Sequence, residues 1–162
     1  MPSSKPLPRR QLLTAMAAAA TAGTTVSSTA ASTAKAASTD EAAAHKIVYQ
    51  INQPEEAYHE AILNSIGAML KKYVDEVSIA VVAFGPGIHL LAKKPKRPVS
   101  KIHQQRVRGM SESYGVRFIA CGNTMQSLGW TAADMQDFVT VEDVGAATLM
   151  ELQEKGYAYI AW

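Results

Sequence analysis

Short apolar runs alternate with amphipathic segments from residue 46 to residue 162, and this alternation limits the fold more than any other feature of the sequence. The runs are rich in β-branched and aromatic residues, as buried strands are, and cover residues 46–51, 77–84, 116–120, 139–141 and 157–161. Segments with helical character lie between them, over about 55–73, 99–114, 125–128 and 146–155. The order βαβαβαβαβ predicts an α/β fold, with a parallel sheet and helices on both faces.

The length of the chain is that of a single domain. Two folding units of ordinary size within 162 residues would each lack a sufficient core. No internal repeat or linker follows residue 45, so we predict one domain over residues 46–162 and a flexible lead-in over residues 37–45. No apolar run approaches the roughly 20 residues that a spanning helix needs, so no stable membrane span is expected.

Residues 1–36 have the composition of an export signal, with four basic residues and no acidic one. Arg9 and Arg10, followed by a polar residue and two leucines, resemble the twin-arginine signal, which directs folded proteins across a membrane. Ala34 and Ala36 fit the A-x-A pattern, so we predict cleavage after Ala36 and a periplasmic location. A disordered Ala/Ser/Thr-rich tail on a cytosolic protein is the alternative.

The basic excess of the chain belongs to this leader. Without residues 1–36, the 16 basic and 14 acidic residues become 12 and 14, and the formal net charge changes from +2 to −2. No nucleic-acid partner is therefore expected. Seven of the remaining 12 basic residues lie between Lys93 and Arg108, where no acidic residue occurs. This basic segment favours an anionic substrate or an acidic partner, although a solvated helix face and loop would have the same composition.

The only cysteine of the chain falls at the edge of the sheet where open α/β proteins bind their ligands, beyond the carboxyl ends of the strands. The loops at that edge hold Asn52, Gln53, Gly85, Pro86, Gly87, Cys121, Gly122, Asn123, Thr124, Glu142 and Asp143. At the start of a helix, which Asn123 or Thr124 is expected to cap, free N–H groups would lower the pKa of the Cys121 thiol. Such a thiolate would be a nucleophile or a carrier of sulfane sulfur, whereas a small buried cysteine is the alternative.

The histidines offer weaker candidates. His89, two residues after Gly87, is a candidate for substrate binding, with a helix-end or surface position as the alternative, and His59 is predicted on the flank of the first helix. One cysteine excludes an intramolecular disulfide and a metal site made of cysteines alone. A mononuclear metal site would need Cys121 together with His89, His59 or His103, but their dispersion in the sequence disfavours it, and no metal or cofactor is expected.

Residues 81–91, 115–125 and 156–160 carry the most distinctive motifs, above all a strand followed by Cys-x-Asn-Thr, with Gly-Pro-Gly about 35 residues earlier. These segments resemble the DsrE/DsrF family of small sulfur-relay proteins, and the resemblance covers about residues 46–162. It is closest to an exported branch whose members act as single proteins. The resemblance implies a three-layer α/β/α sandwich with a five-stranded parallel sheet, assembled as a homo-oligomer, usually a trimer or hexamer.

The resemblance also implies a chemistry. Family members carry persulfide sulfur on a cysteine and pass it to a partner, and the matching position is Cys121. The residues expected to shape its pocket are Asn52, Gly85, Pro86, Gly87, His89, Gly122, Asn123 and Thr124. The expected function is a periplasmic sulfur carrier or sulfurtransferase-like protein, with a small anionic sulfur species or a sulfur donor or acceptor protein as partner. A non-catalytic ligand-binding or assembly module of the same fold is the alternative.

Two features depart from the family pattern. An export signal is predicted for this chain, whereas the studied relays are cytoplasmic. Residues 144–147 read Val-Gly-Ala-Ala, where many relatives have a Ser-Gly-Val type of turn. Both departures concern the partner and the substrate more than the fold.

Overall fold

The computed structural model describes residues 43–162. The predicted signal segment 1–36, with its cleavage position, and most of the lead-in 37–45 lie outside the described residues. Within that range the strands are β1 His45–Ile51, β2 Val77–Ala83, β3 Arg117–Cys121, β4 Thr140–Glu142 and β5 Ala158–Ile160. The α-helices are α1 Glu56–Tyr73, α2 Lys101–Tyr114, α3 Gly122–Ser127 and α4 Gly145–Glu154.

The strands form one five-stranded sheet in the order β4-β3-β2-β1-β5, and every pairing is parallel. β2 is central, and β1 pairs with it along its whole length, from His45 opposite Val77 to Ile51 opposite Ala83. Because the strands are parallel, their carboxyl ends lie at the same edge of the sheet. This arrangement confirms the predicted α/β class and the five-stranded parallel sheet.

Alternate residues of β1, β2 and β3 enter two separate apolar cores, one on each face of the sheet. Ile47, Tyr49 and Ile51 of β1 pack into the larger core, which α1 and α2 cover. Val48 enters the smaller core together with Leu149 and Leu152 of α4. Each fully buried side chain of this size stabilises the fold by roughly 1.5–3 kcal/mol. The three layers expected from the resemblance are therefore α1 with α2, the sheet, and α4.

The start of the third helix differs from the sequence prediction. α3 begins at Gly122, not near Met125, and its N-cap is Cys121. Neither Asn123 nor Thr124 caps the helix, because no side chain makes a cap hydrogen bond there. The Asn123 N–H donates instead to the main-chain oxygen of Asp143, at 3.0 Å, in the loop that follows β4. Tertiary contact, not local capping, therefore sets this helix start.

The segment after β2 also contains structure that the sequence pattern did not predict. A 3₁₀ segment runs over Gly85–Leu91, whereas the sequence pattern predicts only a loop there. Gly87 allows this segment to lie directly on the end of β1, because a Cβ at that position would be 2.4 Å from the Ile51 carbonyl oxygen. The remaining boundaries differ from prediction by one or two residues, as at β4, which runs over residues 140–142.

The prediction for His59 is wrong, because this side chain is 2% exposed and does not lie on a solvent-facing helix flank. α1 packs against α2, and the His59 ring faces the His103 ring with centroids 6.4 Å apart. His59 Nε2 lies 2.7 Å from the Gln53 carbonyl oxygen, so the buried ring has a hydrogen-bond partner.

In the part of the chain that the structure describes, no helix is long and apolar enough to cross a membrane.

Candidate functional site

Cys121 ends β3 and places its sulfur at the amino end of α4. The Gly145 N–H, in the first residue of α4, donates to Cys121 Sγ at 3.3 Å. A Cβ on Gly145 would lie 3.0 Å from Cys121 Cβ and 3.4 Å from Sγ, closer than ordinary contact. Glycine at this position is therefore what lets the helix start approach the thiol so closely.

α3 supplies a second set of donors to the same sulfur. The Asn123 and Thr124 N–H groups and the Thr124 hydroxyl lie on the side of Cys121 and help to lower the pKa of its thiol. Thr124 Oγ1 accepts a hydrogen bond from the Gly85 N–H at 3.1 Å. That contact holds the Thr124 side chain, whose hydroxyl favours the thiolate form of Cys121. The loop after β2 thus positions a donor that acts on a residue at the end of β3.

These contacts decide the ionisation of the thiol. Burial acts to raise the pKa of Cys121, but the hydrogen bonds from Gly145, Thr124 and Asn123 outweigh it and lower the pKa below its ordinary value of 9.0. The direction agrees with the sequence prediction. The cause differs in part, since main-chain and hydroxyl donors, not the basic segment, are the main contributors. The thiol is only 6% exposed, so fixed donors take the place of water around the charge.

A cavity of about 320 Å³ adjoins this site. Its lining includes four of the predicted residues, Gly85, Pro86, His89 and Thr124, together with Arg97. Thr124 belongs both to the cavity wall and to the set of donors around Cys121, so it connects the two. The volume is within the range of small-molecule sites.

Two of the predicted pocket residues have structural roles. Asn52 Oδ1 accepts a hydrogen bond from the Tyr58 hydroxyl at 3.0 Å, and Asn52 is not part of the cavity wall. Gly87 is buried against the end of β1. Gly122 contributes by its small size, because a Cβ there would lie 3.2 Å from Asp143 Cα and separate α3 from the loop after β4.

Sequence reasoning missed two residues of the site, Gly145 and Arg97. The sequence analysis places Gly145 only in an unusual turn. A glycine that follows a strand and begins a helix is nevertheless a signal that another group approaches the backbone closely there. Arg97 had been one of seven basic residues in a segment with no local pattern to separate it from the others. Arg97 reaches the cavity because the folded chain brings its neighbour Lys96 to His89, to which the Lys96 N–H donates.

The metal-site hypothesis needs a set of ligands that the described residues do not bring together. Within residues 43–162, no three side chains of His, Cys, Asp or Glu are close enough to hold a metal ion. His89 packs against the Trp130 ring at a centroid distance of 4.9 Å, and His59 packs against His103.

The fold and site define a small α/β protein in which a parallel sheet presents one thiol, held by main-chain donors, at its carboxyl edge. The sequence profile of the DsrE/DsrF-like family matches residues 11–162, and the chain belongs to that family. The match begins inside the segment predicted as a signal. No curated protein matches the chain significantly.

Solved structures with the same fold include a protein of unknown function, MTH1491 from Methanobacterium thermoautotrophicum. It is 24% identical, with a TM-score of 0.63, and the alignment covers 72% of this chain and 97% of that one. The ychN protein of E. coli is 14% identical, with a TM-score of 0.54 and coverage of 71% and 96%. BT1422 from Bacteroides thetaiotaomicron is 17% identical, with a TM-score of 0.51 and coverage of 72% and 94%. At these identities the likeness demonstrates the fold alone.

Proposed function

We propose that the protein is a sulfur carrier or sulfurtransferase-like protein that holds sulfane sulfur as a persulfide on Cys121. The observation that carries this proposal is the N–H···S hydrogen bond from Gly145 to Cys121, with the lowered pKa of the thiol that accompanies it. The thiolate, not the thiol, attacks sulfur, so donors that favour the charged form favour this reaction. Membership of a family with a sulfur-relay type of fold supports the same chemistry.

In the proposed reaction the Cys121 thiolate attacks the terminal sulfur of a donor. An S–S bond forms at Sγ, the bond between that sulfur and the rest of the donor breaks, and the leaving group takes the electron pair. Attack by an acceptor thiolate on the outer sulfur of the persulfide then returns Cys121 to its starting state. The N–H groups of Gly145, Asn123 and Thr124 stabilise the charge on sulfur without having to reorient.

Mass spectrometry of the intact protein after treatment with polysulfide tests the proposal. We expect wild type to gain one sulfur atom that dithiothreitol removes, and the Cys121→Ser variant to gain none. Thr124→Val, which removes the hydroxyl but keeps the branched shape, is expected to load more slowly at neutral pH. A wild-type protein that gains no sulfur, or a Cys121→Ser variant that gains as much, would contradict the carrier function.

The non-catalytic alternative has one observation in its favour, the low exposure of the thiol. At 6% exposed, Cys121 resembles a structural cysteine that packs beneath two helices. The two functions differ in reagent access, because a carrier must admit a donor in its folded state. Alkylation of Cys121 without denaturant favours the carrier, whereas alkylation only after unfolding favours the structural role.

We also propose that the protein acts in the periplasm as a homo-oligomer, a trimer or hexamer. Arg9 and Arg10 support export, and the exposed apolar side chains of Val144 and Met150, 42% and 54% exposed, support an interface on the α4 side. Light scattering on a sizing column measures the oligomer. Cell fractionation of wild type and a doubly substituted Arg9→Lys, Arg10→Lys variant measures export, and equal periplasmic amounts would contradict the twin-arginine route.

A further inference from the structure

The cavity beside Thr124 contains a buried donor that the protein leaves without a partner. His89 is 2% exposed, and its Nδ1 accepts a hydrogen bond from the Lys96 N–H at 3.1 Å. Because Nδ1 accepts this bond, it carries no proton, and the ring proton resides on Nε2. Burial, followed by the charges of Arg97 and Lys96, lowers the pKa of His89, which favours the same neutral ring. No described residue accepts a hydrogen bond from His89 Nε2, and this atom is not fully enclosed by the protein. Because the His89 ring lines the cavity, we place the Nε2 proton on the cavity side.

Arg97 provides a second free donor at the same cavity. Arg97 lines the cavity, and no acidic side chain is among the lining residues, so no carboxylate there can pair with the guanidinium. Arg97 makes no hydrogen bond or ion pair with the residues that the structure describes. A guanidinium and an N–H that face one cavity without protein acceptors match an anion with several oxygens.

The loop that bears Arg97 is held in place. The Lys93 N–H donates to the Asp134 carbonyl at 2.8 Å, and Lys93 Nζ donates to the Ala133 carbonyl at 2.8 Å. Lys96 Nζ donates to the Leu128 carbonyl and lies 5.6 Å from the centre of the Trp130 ring. The anchored loop limits the entropy that Arg97 would lose on binding a ligand.

We propose that this cavity binds the oxoanion end of a sulfane-sulfur donor that contains a thiosulfonate group, with Arg97 and His89 Nε2 donating to its oxygens. The inference rests on the sulfur-carrier function proposed for Cys121, and it names the class of donor. Thr124 connects the cavity to the thiol, so an oxoanion held there brings the terminal sulfur of the donor toward Sγ. Thiosulfate and organic thiosulfonates share this group, whereas polysulfides lack the oxygens.

The reaction balances without a further reagent. With thiosulfate, the Cys121 thiolate forms a bond to the terminal sulfur, and the bond from that sulfur to the oxidised sulfur breaks. The electron pair leaves with sulfite, which carries two negative charges, and the persulfide keeps the single charge of the thiolate. Arg97 and His89 hold the sulfite oxygens as their charge grows, so the cavity stabilises the leaving group.

The first test compares rates of persulfide formation on the full chain with thiosulfate and with polysulfide. Arg97→Met is expected to lower the ratio of the thiosulfate rate to the polysulfide rate by about tenfold. Lys94→Met is the matched control, because Lys94 is an exposed cation of the same loop that does not line the cavity. Its ratio is expected to stay within about twofold of wild type. Equal ratios in the two variants would overturn the inference and leave the carrier function intact.

The second test measures binding without sulfur transfer. Calorimetric titration with sulfite of the Cys121→Ser variant is expected to detect binding that weakens by about tenfold when Arg97→Met is added. Sulfite binding that does not depend on Arg97 would overturn the inference. If neither donor loads Cys121 but sulfite still binds through Arg97, the carrier function fails and the anion site stands. If Cys121 does load, wild-type loading rates with thiosulfate and with benzenethiosulfonate identify which of the two donors the cavity prefers.

Discussion

Replacing Gly145 with alanine places one methyl group between the start of α4 and the end of β3. The new Cβ would lie 3.0 Å from Cys121 Cβ and 3.4 Å from both Sγ and Val82 Cγ1. Carbon atoms prefer separations of about 3.5–4.0 Å, so the helix start must move away by roughly half an ångström. Cys121 Cβ is fixed to the sheet and cannot yield as a flexible side chain would. The Gly145 N–H, now 3.3 Å from Sγ, moves with the helix.

The expected effect on the thiol follows from the value of that hydrogen bond. Bonds to charged groups contribute about 1.5–3 kcal/mol, and a lengthened bond keeps part of this, so about 1 kcal/mol is lost. That loss corresponds to roughly a fivefold smaller thiolate population at neutral pH. Folding stability changes less, because the helix propensity of alanine, worth up to about 1 kcal/mol over glycine, offsets the strain. The variant therefore separates the chemistry of the thiol from the stability of the protein.

The rate of alkylation of Cys121 by iodoacetamide, measured against pH on the folded protein, reports the change. We expect the midpoint of the Gly145→Ala profile to move up toward the ordinary thiol value, with the same plateau at high pH. Gly67→Ala is the control, since this glycine lies within α1 and an added Cβ meets no atom within 4 Å. Its profile should match wild type. A Gly145→Ala profile that also matches wild type would refute the role of the Gly145 N–H in lowering the pKa.

Three further predictions concern stability. The free energy of unfolding of wild type, relative to that of Cys121→Ser, should rise as pH increases toward 9.0, because the folded thiol loses its proton before the unfolded thiol does. Urea denaturation at a series of pH values measures this rise. Burial lowers the pKa of His59, so the unfolded histidine gains its proton first as pH falls through 6.5. Wild type should therefore lose stability relative to His59→Gln over this range, and a stability difference that stays constant with pH would contradict this. Gly87→Ala should destabilise the protein by about 2–3 kcal/mol in urea denaturation, because its Cβ would collide with the end of β1, and a change below about 0.5 kcal/mol would show that the backbone relaxes freely.

The strands of the sheet were predictable because their signal is local. The run over residues 77–84 is almost continuously apolar, as interior parallel strands are, and the structure places β2 at Val77–Ala83. Thr131 and Asp134, three residues apart, have the local Thr-x-x-Asp pattern of a capping box, and the structure contains that box. Each of these features depends on neighbours in the sequence, and a single chain displays them directly.

The start of α3 and the contacts of the site could not be predicted in this way. Gly122 and Asn123 are poor helix formers, and their helix exists because the Asn123 N–H meets the Asp143 carbonyl of a distant loop. Gly145 donates to a sulfur 24 positions earlier in the chain, with no pattern that joins the two. The position of Cys121 at the end of a strand was correctly inferred, but the groups that act on its thiol lie at the starts of two helices, α3 and α4, which only the folded chain brings together.

The strand order also has a consequence for how the protein is assembled during synthesis. β1 to β4 are made in the order in which they add to one side of the sheet, so each can pair with its predecessor as translation proceeds. β5 is made after them and must return to the opposite side of β1, where Ile47, Val48 and Tyr49 pair with it. Until it arrives, that side of β1 is an open template on which the strand of another nascent chain can dock. Quality control of this protein is therefore expected to depend on the last strand, and ribosome-bound chains that stop before Ala158 should be the species that chaperones retain.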